Sequence, residues 1–245
     1  ELGKILKIHA ARKLSIRNDM KKARNKMSPE LRRRLYGIKD ADQLANEYTQ
    51  KNLELSKKAV QESKQRDFDA MEEYERTFAN VPFWLSPSVW VNQRVGLLQN
   101  FIDPQNSKLH RHNMYYKDWE STFDATPTGN TDMEIRFHLA VGQGLGIAVD
   151  KNLKSKNIAD IKALFESGGK YAAAIEVLRQ TEKEADSYQM TPEQEAIIEA
   201  AVQESGEAYA ALDALVQYAA YKNVVNTPVT KGSKKNPQFT AKLMF

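Results

Sequence analysis

The feature that most constrains this fold is the stretch 40–80, which contains neither glycine nor proline. Charged residues dominate it, and apolar side chains recur near the spacing of one helix face. These apolar residues are Leu44, Tyr48, Leu55, Ala59, Phe68, Met71 and Tyr74. The pattern predicts one long, charged amphipathic helix, or two in tandem, with an apolar repeat too irregular to indicate a coiled coil.

The preceding segment, residues 1–39, is strongly basic and is also predicted to be helical. It carries 13 Lys and Arg residues against three acidic ones, whereas the whole chain has 36 against 32. Ser28 and Pro29 form a helix start signal, as N-cap and first helical residue. The basic clusters 21–24 and 32–34 are suited to neutralising phosphates. A solvated helix face, or a basic helix packed on an acidic part of the same protein, fits the sequence equally well.

Residues 81–245 are predicted to be mostly helical, with few strands. Pro82 and Pro87 end the long helix, a short strand follows at 88–92, and residues 93–132 are predicted to be irregular. Helices are expected at 132–146, capped by Thr131 or Asp132, and at 158–165, 169–187 and 191–223, the last of them running through Gly206.

The tail 239–245 alternates apolar and polar side chains, which is typical of a half-buried strand. Its apolar face carries Phe239, Ala241, Leu243 and Phe245, and no partner strand is evident. Because the chain also does not begin with Met, we expect a piece of a longer polypeptide. The sequence as a whole predicts a mostly α fold with a few short strands, of the α+β class.

Composition excludes several functions. The chain has no cysteine, which excludes disulfides and thiolate chemistry, and no apolar run long enough to span a membrane. The three glycines of 141–146 lack the spacing and the preceding strand of a dinucleotide fingerprint, so we expect them to end a helix or to let helices approach closely. We expect His138 to be packed or at the surface, and Glu72 and Glu73 to be solvated. No catalytic residue and no metal ligand is predicted in this chain.

Residues 90–109 are the most informative segment, because a strand end, a glycine and a Pro-Gln-Asn turn occur there together with positive charges. Glycine permits close backbone approach, and amide and guanidinium groups offer donors to phosphates and sugar hydroxyls. A strand, turn and helix with polar edges and no ligand is the alternative. The candidate nucleic-acid-binding residues are Asn92, Gln93, Arg94, Gly96, Lys108 and Arg111.

This segment resembles the Thr-x-x-Gly-Arg region of single-subunit RNA polymerases, especially the virion-packaged polymerases of N-four-like podophages. Gln93-Arg94-Val95-Gly96-Leu97 falls on the motif, and 101–105 falls on the Pro-Gln turn that follows it. Arg94 and Gly96 match the packaged-polymerase version. Gln93 stands where the family has Thr, and Leu97 stands where it has the final Arg.

The resemblance continues at 137–147, 214–221 and 239–245, so that it spans residues 81–245. It implies a fragment of a phage virion-associated DNA-directed RNA polymerase that supports the binding of template DNA and of the RNA–DNA hybrid. It also implies that the helical N-terminal region leads into the start of a palm-type sheet. In the family, the strand that corresponds to this tail leads directly into the Asp-Gly of motif A, which carries a metal-binding catalytic aspartate. The catalytic aspartates and their Mg²⁺ ions would then belong to the rest of the same polypeptide, and this chain alone is not expected to polymerise.

The sequence thus divides into a basic helical segment (1–39), a long charged helix (40–80) and the polymerase-like region (81–245). The resemblance implies a location in the phage virion with delivery to the host cytoplasm, and other virion or ejection proteins as further partners. Two alternatives stay open. One is a non-catalytic virion structural or DNA-ejection protein with long helices, and the other is a helical nucleic-acid-binding module driven by residues 1–39.

Overall fold

The computed structural model describes residues 2–39, 51–90, 94–97, 102, 104–105, 107–126, 131–148, 155–203, 205, 207–227 and 237–242. The chain forms two compact units, the first built from residues 1–18 and 29–118 and the second from 19–28 and 119–243. Ten helices and six short strands lie in the described residues. The prediction of a mostly α fold with a few strands is therefore confirmed.

The first unit is organised around one long helix. Its helices are α1 (Leu2–Ala10), α3 (Pro29–Leu35), α4 (Lys51–Thr77) and α5 (Lys108–His112). Its strands are β1 (Leu14–Ile16), β2 (Pro87–Val89), β3 (Val95–Leu97) and β4 (Met114–Tyr116). β1 pairs with β4 and β2 with β3, both antiparallel. The long helix predicted over 40–80 is thus present over 51–77, and residues 40–50 lie outside the described part of the chain.

The second unit is mainly a bundle of helices. They are α2 (Asn18–Asn25), α6 (Asp132–Gly144), α7 (Ser155–Phe165), α8 (Ala172–Lys183), α9 (Pro192–Gln203) and α10 (Ala208–Val225). The strands β5 (Ser121–Asp124) and β6 (Gln238–Ala241) complete it. α10 is central, since it packs against α6, α8, α9 and β6 and its residues 209–219 are all buried or nearly so. A helix that is apolar on all sides is expected in such a position.

Two sequence predictions fail in this unit. The terminal strand has a partner, because β6 pairs antiparallel with β5 in the register Phe123 to Phe239. Of its predicted apolar face, Phe239 and Ala241 are buried, whereas Leu243 and Phe245 lie outside the described residues. The helix predicted from 191 to 223 is two helices, α9 ending at Gln203 and α10 beginning at Ala208. A third difference spans both units, since the region 93–132 contains β3, α5 and β4 of the first unit and β5 of the second and is less irregular than predicted.

The glycines of 141–146 behave as the sequence indicates. A Cβ on Gly144 would lie 2.9 Å from the Cβ of Ala214 and 3.1 Å from the carbonyl oxygen of Ala210, so the glycine allows α6 to pack closely on α10. Gly146, with φ of 79°, follows the end of α6 in the left-handed region that favours glycine. Both predicted roles, close helix approach and helix termination, are confirmed.

A short N-terminal segment, α2 and the loop to Ser28, belongs to the second unit. The buried Lys26 ammonium donates to the carbonyl oxygens of Thr181 and of Glu184, the latter at 2.9 Å, at the end of α8. The Ser28 hydroxyl donates to Glu195 Oε2 at 2.8 Å near the start of α9. The Thr181 carbonyl oxygen also accepts from the Glu184 amide, so Lys26 adds a charged donor to the carbonyl groups at the end of α8.

A buried carboxylate, Glu134, organises the start of α6. Thr131 and Glu134 form a capping box, which confirms Thr131 as the predicted cap. Glu134 also accepts hydrogen bonds from the amide and hydroxyl of Thr126 and from the Tyr221 hydroxyl at 2.9 Å. Burial alone would raise the pKa of Glu134, but the hydrogen bonds from Thr126, Thr131 and Tyr221 outweigh it and lower the pKa. The carboxylate is therefore charged and serves as a shared acceptor.

His138 lies one helical turn further along α6. It is buried among the rings of Phe137, Tyr218 and Tyr221, and its Nδ1 lies 2.6 Å from the carbonyl oxygen of Glu134. Burial lowers the pKa of His138 to about 4. Of the two alternatives left open by the sequence, packed or at the surface, the structure shows the packed one, and the ring is neutral at pH 7.

Candidate nucleic-acid interface

The motif segment forms a β-hairpin in the first unit. β2 and β3 pair in the register Ser88 to Gly96, and the Trp90 amide donates to the Arg94 carbonyl oxygen at 2.9 Å. The Arg94 side chain is exposed beside this bond, at the end of the hairpin loop. Asn92 and Gln93, two further candidates from the sequence, lie outside the described residues.

Gly96 is buried against an aromatic ring. A Cβ at this position would lie 2.2 Å from the Trp90 ring, so only glycine leaves room for the indole. The sequence predicted a close approach at Gly96 and attributed it to nucleic acid. In the structure the group that approaches Gly96 is Trp90, six residues earlier in the same hairpin. Gly96 thus positions the hairpin's own side chain.

A hydrogen-bonded turn connects this hairpin to α5. Arg111 Nε donates to the Pro104 carbonyl oxygen at 2.9 Å, and a terminal guanidinium nitrogen donates to the Gln105 carbonyl oxygen at 2.6 Å. The Gln105 side-chain amide in turn donates to the Val95 carbonyl oxygen at 3.4 Å. Arg111 therefore fixes the turn, and the turn holds β3. Lys108, the first residue of α5, is exposed.

A polar cluster holds α5 on the long helix. The Tyr36 hydroxyl donates to Asp67 Oδ2 at 2.9 Å and lies 3.3 Å from the Ser107 hydroxyl. Ser107 is the N-cap of α5 and accepts from the His110 amide. The buried His110 ring places Nε2 2.9 Å from the Asp67 carbonyl oxygen. Residues from three parts of the first unit thus fix the position of α5.

The structure therefore brings Arg94, Gly96, Lys108 and Arg111 into one assembly, the hairpin–α5 assembly, made of β2, β3, the turn 104–105 and α5. Two of these four, Arg94 and Lys108, present exposed positive side chains, whereas Gly96 and Arg111 hold the assembly together. Sequence reasoning missed Trp90 as a partner of Gly96. The available signal was an aromatic residue at a strand end, with a glycine two residues beyond the position that faces it in a short hairpin.

The basic N-terminal segment is partly used for internal contacts. Arg17, Arg24 and Lys26 are buried, and Arg32 pairs with Glu72 of α4 at 3.2 Å. Lys64 of α4 donates to the Gly37 carbonyl oxygen at 3.1 Å, just after α3. These contacts favour the interpretation in which basic residues pack on acidic and polar parts of the same protein. Glu72 and Glu73 are exposed, as predicted.

No group of three His, Asp or Glu side chains in the described part of the chain is placed to hold a metal ion. No described helix is both long enough and apolar enough to cross a membrane.

Comparison with known families identifies the class of protein. Residues 1–114 match the model of a virion DNA-directed RNA polymerase domain. Residues 133–222 match the model of the plug insertion of virion DNA-directed RNA polymerase. No curated protein matches the chain. The two matched segments together cover most of the sequence.

The chain is therefore a segment of a polymerase carried in a phage virion, and it belongs to the virion DNA-directed RNA polymerases. The resemblance noted in the sequence is confirmed at this level, and the N-four-like assignment stays a prediction. The family match begins at residue 1, so it extends over the first 80 residues, in which the sequence showed no motif. The similar segments 137–147 and 214–221 fall within the plug insertion.

Proposed function

We propose that this segment supports the template DNA and the RNA–DNA hybrid in its polymerase, through the exposed side of the hairpin–α5 assembly. The observation that carries the proposal is the chain of hydrogen bonds from Arg111 through the turn to Val95. It joins the loop that bears Arg94 to the helix that begins at Lys108. Two positive side chains on one fixed scaffold are suited to phosphates, which dominate the affinity for nucleic acid.

The proposed roles differ among the candidates. Arg94 and Lys108 contact phosphates, and Asn92 and Gln93, which precede Arg94 in the sequence, donate to phosphates or sugar hydroxyls. Arg111 and Gly96 position the backbone that carries them. The family match supports a polymerase over the alternative of a non-catalytic structural or ejection protein.

Catalysis is assigned to the rest of the polypeptide. Mg²⁺ is proposed for the complete polymerase, in which it would stabilise the charge that develops during phosphoryl transfer. The described residues of this chain do not fit a metal site, so no catalytic step is assigned to them. We further propose that the enzyme is delivered from the virion to the host cytoplasm, with the remaining polymerase and other virion proteins as partners.

The test is the salt dependence of binding by the 245-residue chain. Fluorescence anisotropy with a labelled single-stranded DNA and an RNA–DNA hybrid gives the association constant at several salt concentrations. Arg94→Gln and Lys108→Gln are each expected to reduce the slope of log K against log salt by about 0.7 on the single strand. Lys183→Gln, which removes an exposed lysine at the end of α8, is the matched control. Equal slopes for all three variants and the wild type would contradict the proposal.

A further inference from the structure

Trp90 is a large aromatic residue that the fold fixes in place without covering it. Its amide donates to Arg94, and its ring lies against Gly96. The residue nevertheless remains 43% exposed. A buried Trp ring contributes strongly to stability, whereas the Trp90 ring is held against backbone and is still accessible.

The surroundings of Trp90 carry positive charge. Arg94 is exposed at the other end of the backbone hydrogen bond that Trp90 makes. The turn 104–105 is hydrogen-bonded to Val95, one residue further on, and connects to α5 with the exposed Lys108. Aromatic rings that alternate with basic side chains are the usual means of binding single-stranded nucleic acid, because every base has a face that stacks on a ring.

We propose that Trp90 is a stacking platform for an unpaired base of single-stranded DNA. This inference rests on the proposed function, and it adds the chemical class of the ligand, because the bases of a duplex are already stacked on one another. Gly96 is essential to the platform, since any larger residue there would displace the indole. Contact of the ring with backbone restricts its motion before the base arrives, so little conformational entropy is lost on binding.

The experiment separates stacking from charge. The 245-residue chain is titrated with a single-stranded oligonucleotide and with an abasic oligonucleotide of the same length, which keeps the phosphates and lacks the bases. Trp90→Ala is expected to weaken binding of the normal strand by about 5- to 150-fold and to leave binding of the abasic strand unchanged. Trp90→Phe, which retains an aromatic ring, is expected to keep most of the affinity. Trp84→Ala is the matched control, since Trp84 is 51% exposed and lies outside the hairpin strands.

Several results would overturn the inference. One is an equal loss on both strands for Trp90→Ala, and another is no loss on either. A loss for Trp84→Ala as large as that for Trp90→Ala would also overturn it. Thermal unfolding of each variant shows whether the fold is intact. If Trp90→Phe still binds the normal strand more tightly than the abasic strand, it supports the inference independently of the alanine variant. The two proposals can fail separately. If Arg94→Gln and Lys108→Gln leave the salt slope unchanged while Trp90→Ala weakens binding of the normal strand only, the proposed phosphate contacts are wrong and the stacking proposal is supported.

Discussion

Replacing Glu134 by glutamine tests the polar network that we describe in the second unit. The carboxylate is fully buried and accepts five hydrogen bonds, from the amides and hydroxyls of Thr126 and Thr131 and from the hydroxyl of Tyr221. The Thr126 amide donates to Oε1 and the Thr131 amide to Oε2. A glutamine has one acceptor oxygen, so in either orientation its amino group faces one of these two backbone N–H groups.

The expected cost follows from that geometry. An orphaned buried donor costs about 1–3 kcal/mol, and the remaining hydrogen bonds lose the strengthening that a charged acceptor provides. We therefore expect Glu134→Gln to lower the free energy of unfolding by about 2–5 kcal/mol. For a chain of this size this corresponds to a fall in Tm of about 4–20 °C.

The assay is urea and thermal unfolding followed by circular dichroism, with Glu166→Gln as the matched control. Glu166 is exposed, and its substitution is expected to change stability by no more than about 0.5 kcal/mol. The folded-state pKa of Glu134 lies below its ordinary value of 4.5. The stabilisation that the ionised carboxylate provides is therefore complete above pH 4.5, and it is lost as the pH falls through the folded-state pKa. The difference between wild type and variant is therefore expected to narrow in acid. Equal stability of the Glu134→Gln and Glu166→Gln variants at pH 7 would refute the reasoning.

Two further predictions concern the packing around α6. Gly144→Ala is expected to destabilise the chain by about 1–3 kcal/mol in urea unfolding, because the new Cβ overlaps Ala214 and Ala210 of α10. The control is Gly3→Ala, on α1 with open space around it, which is expected to stabilise the chain by up to about 1 kcal/mol. If both substitutions change the free energy of unfolding in the same direction, the close packing of α6 on α10 is contradicted. Burial lowers the folded-state pKa of His138 to about 4, against an ordinary value of 6.5. The contribution of the neutral ring to the free energy of unfolding is therefore complete above pH 6.5, and it falls by up to about 3 kcal/mol as the pH drops through 4. The free energy of unfolding, measured across this pH range, is expected to depend less on pH in His138→Gln than in the wild type. An equal pH dependence in the two proteins would contradict the burial of the histidine.

The local features of this fold are predictable from the sequence because they depend on neighbouring residues. The long helix follows from the absence of glycine and proline, and Thr131 is recognisable as a cap with Glu134 three residues later. The roles of the glycines in 141–146 also follow from their position at a helix end. Helix ends shift by a few residues, as at α8 and α9, because tertiary contacts decide where a helix stops.

The features that sequence reasoning missed are contacts between distant residues. The partner of β6 is β5, more than a hundred residues earlier, and a strand of four residues carries too little information to specify it. Glu134 resembles an ordinary acidic residue in a first helical turn until Tyr221 and Thr126 close over it. Likewise Lys26 is one of many lysines in a basic segment, and only the fold shows that it is buried at the end of α8.

The candidate site shows the same division. Arg94 and Lys108 were selected as candidates from their types and their position beside a turn, and the structure connects their two elements. Arg111 was grouped with them by charge, whereas its guanidinium binds the carbonyl oxygens of the turn. Trp90 was not selected, because its relation to Gly96 depends on the register of the hairpin.

Crosslinking from Lys108 tests the central claim most directly. In the complete polymerase, Lys108 is replaced by p-benzoylphenylalanine, and the matched control carries the same residue in place of Val60, which is exposed on α4. Irradiation of the enzyme on a labelled template is expected to link the strand to position 108 and to give no more than background at position 60. Background crosslinking at both positions in an enzyme that is transcribing would contradict the claim that the hairpin–α5 assembly supports the template.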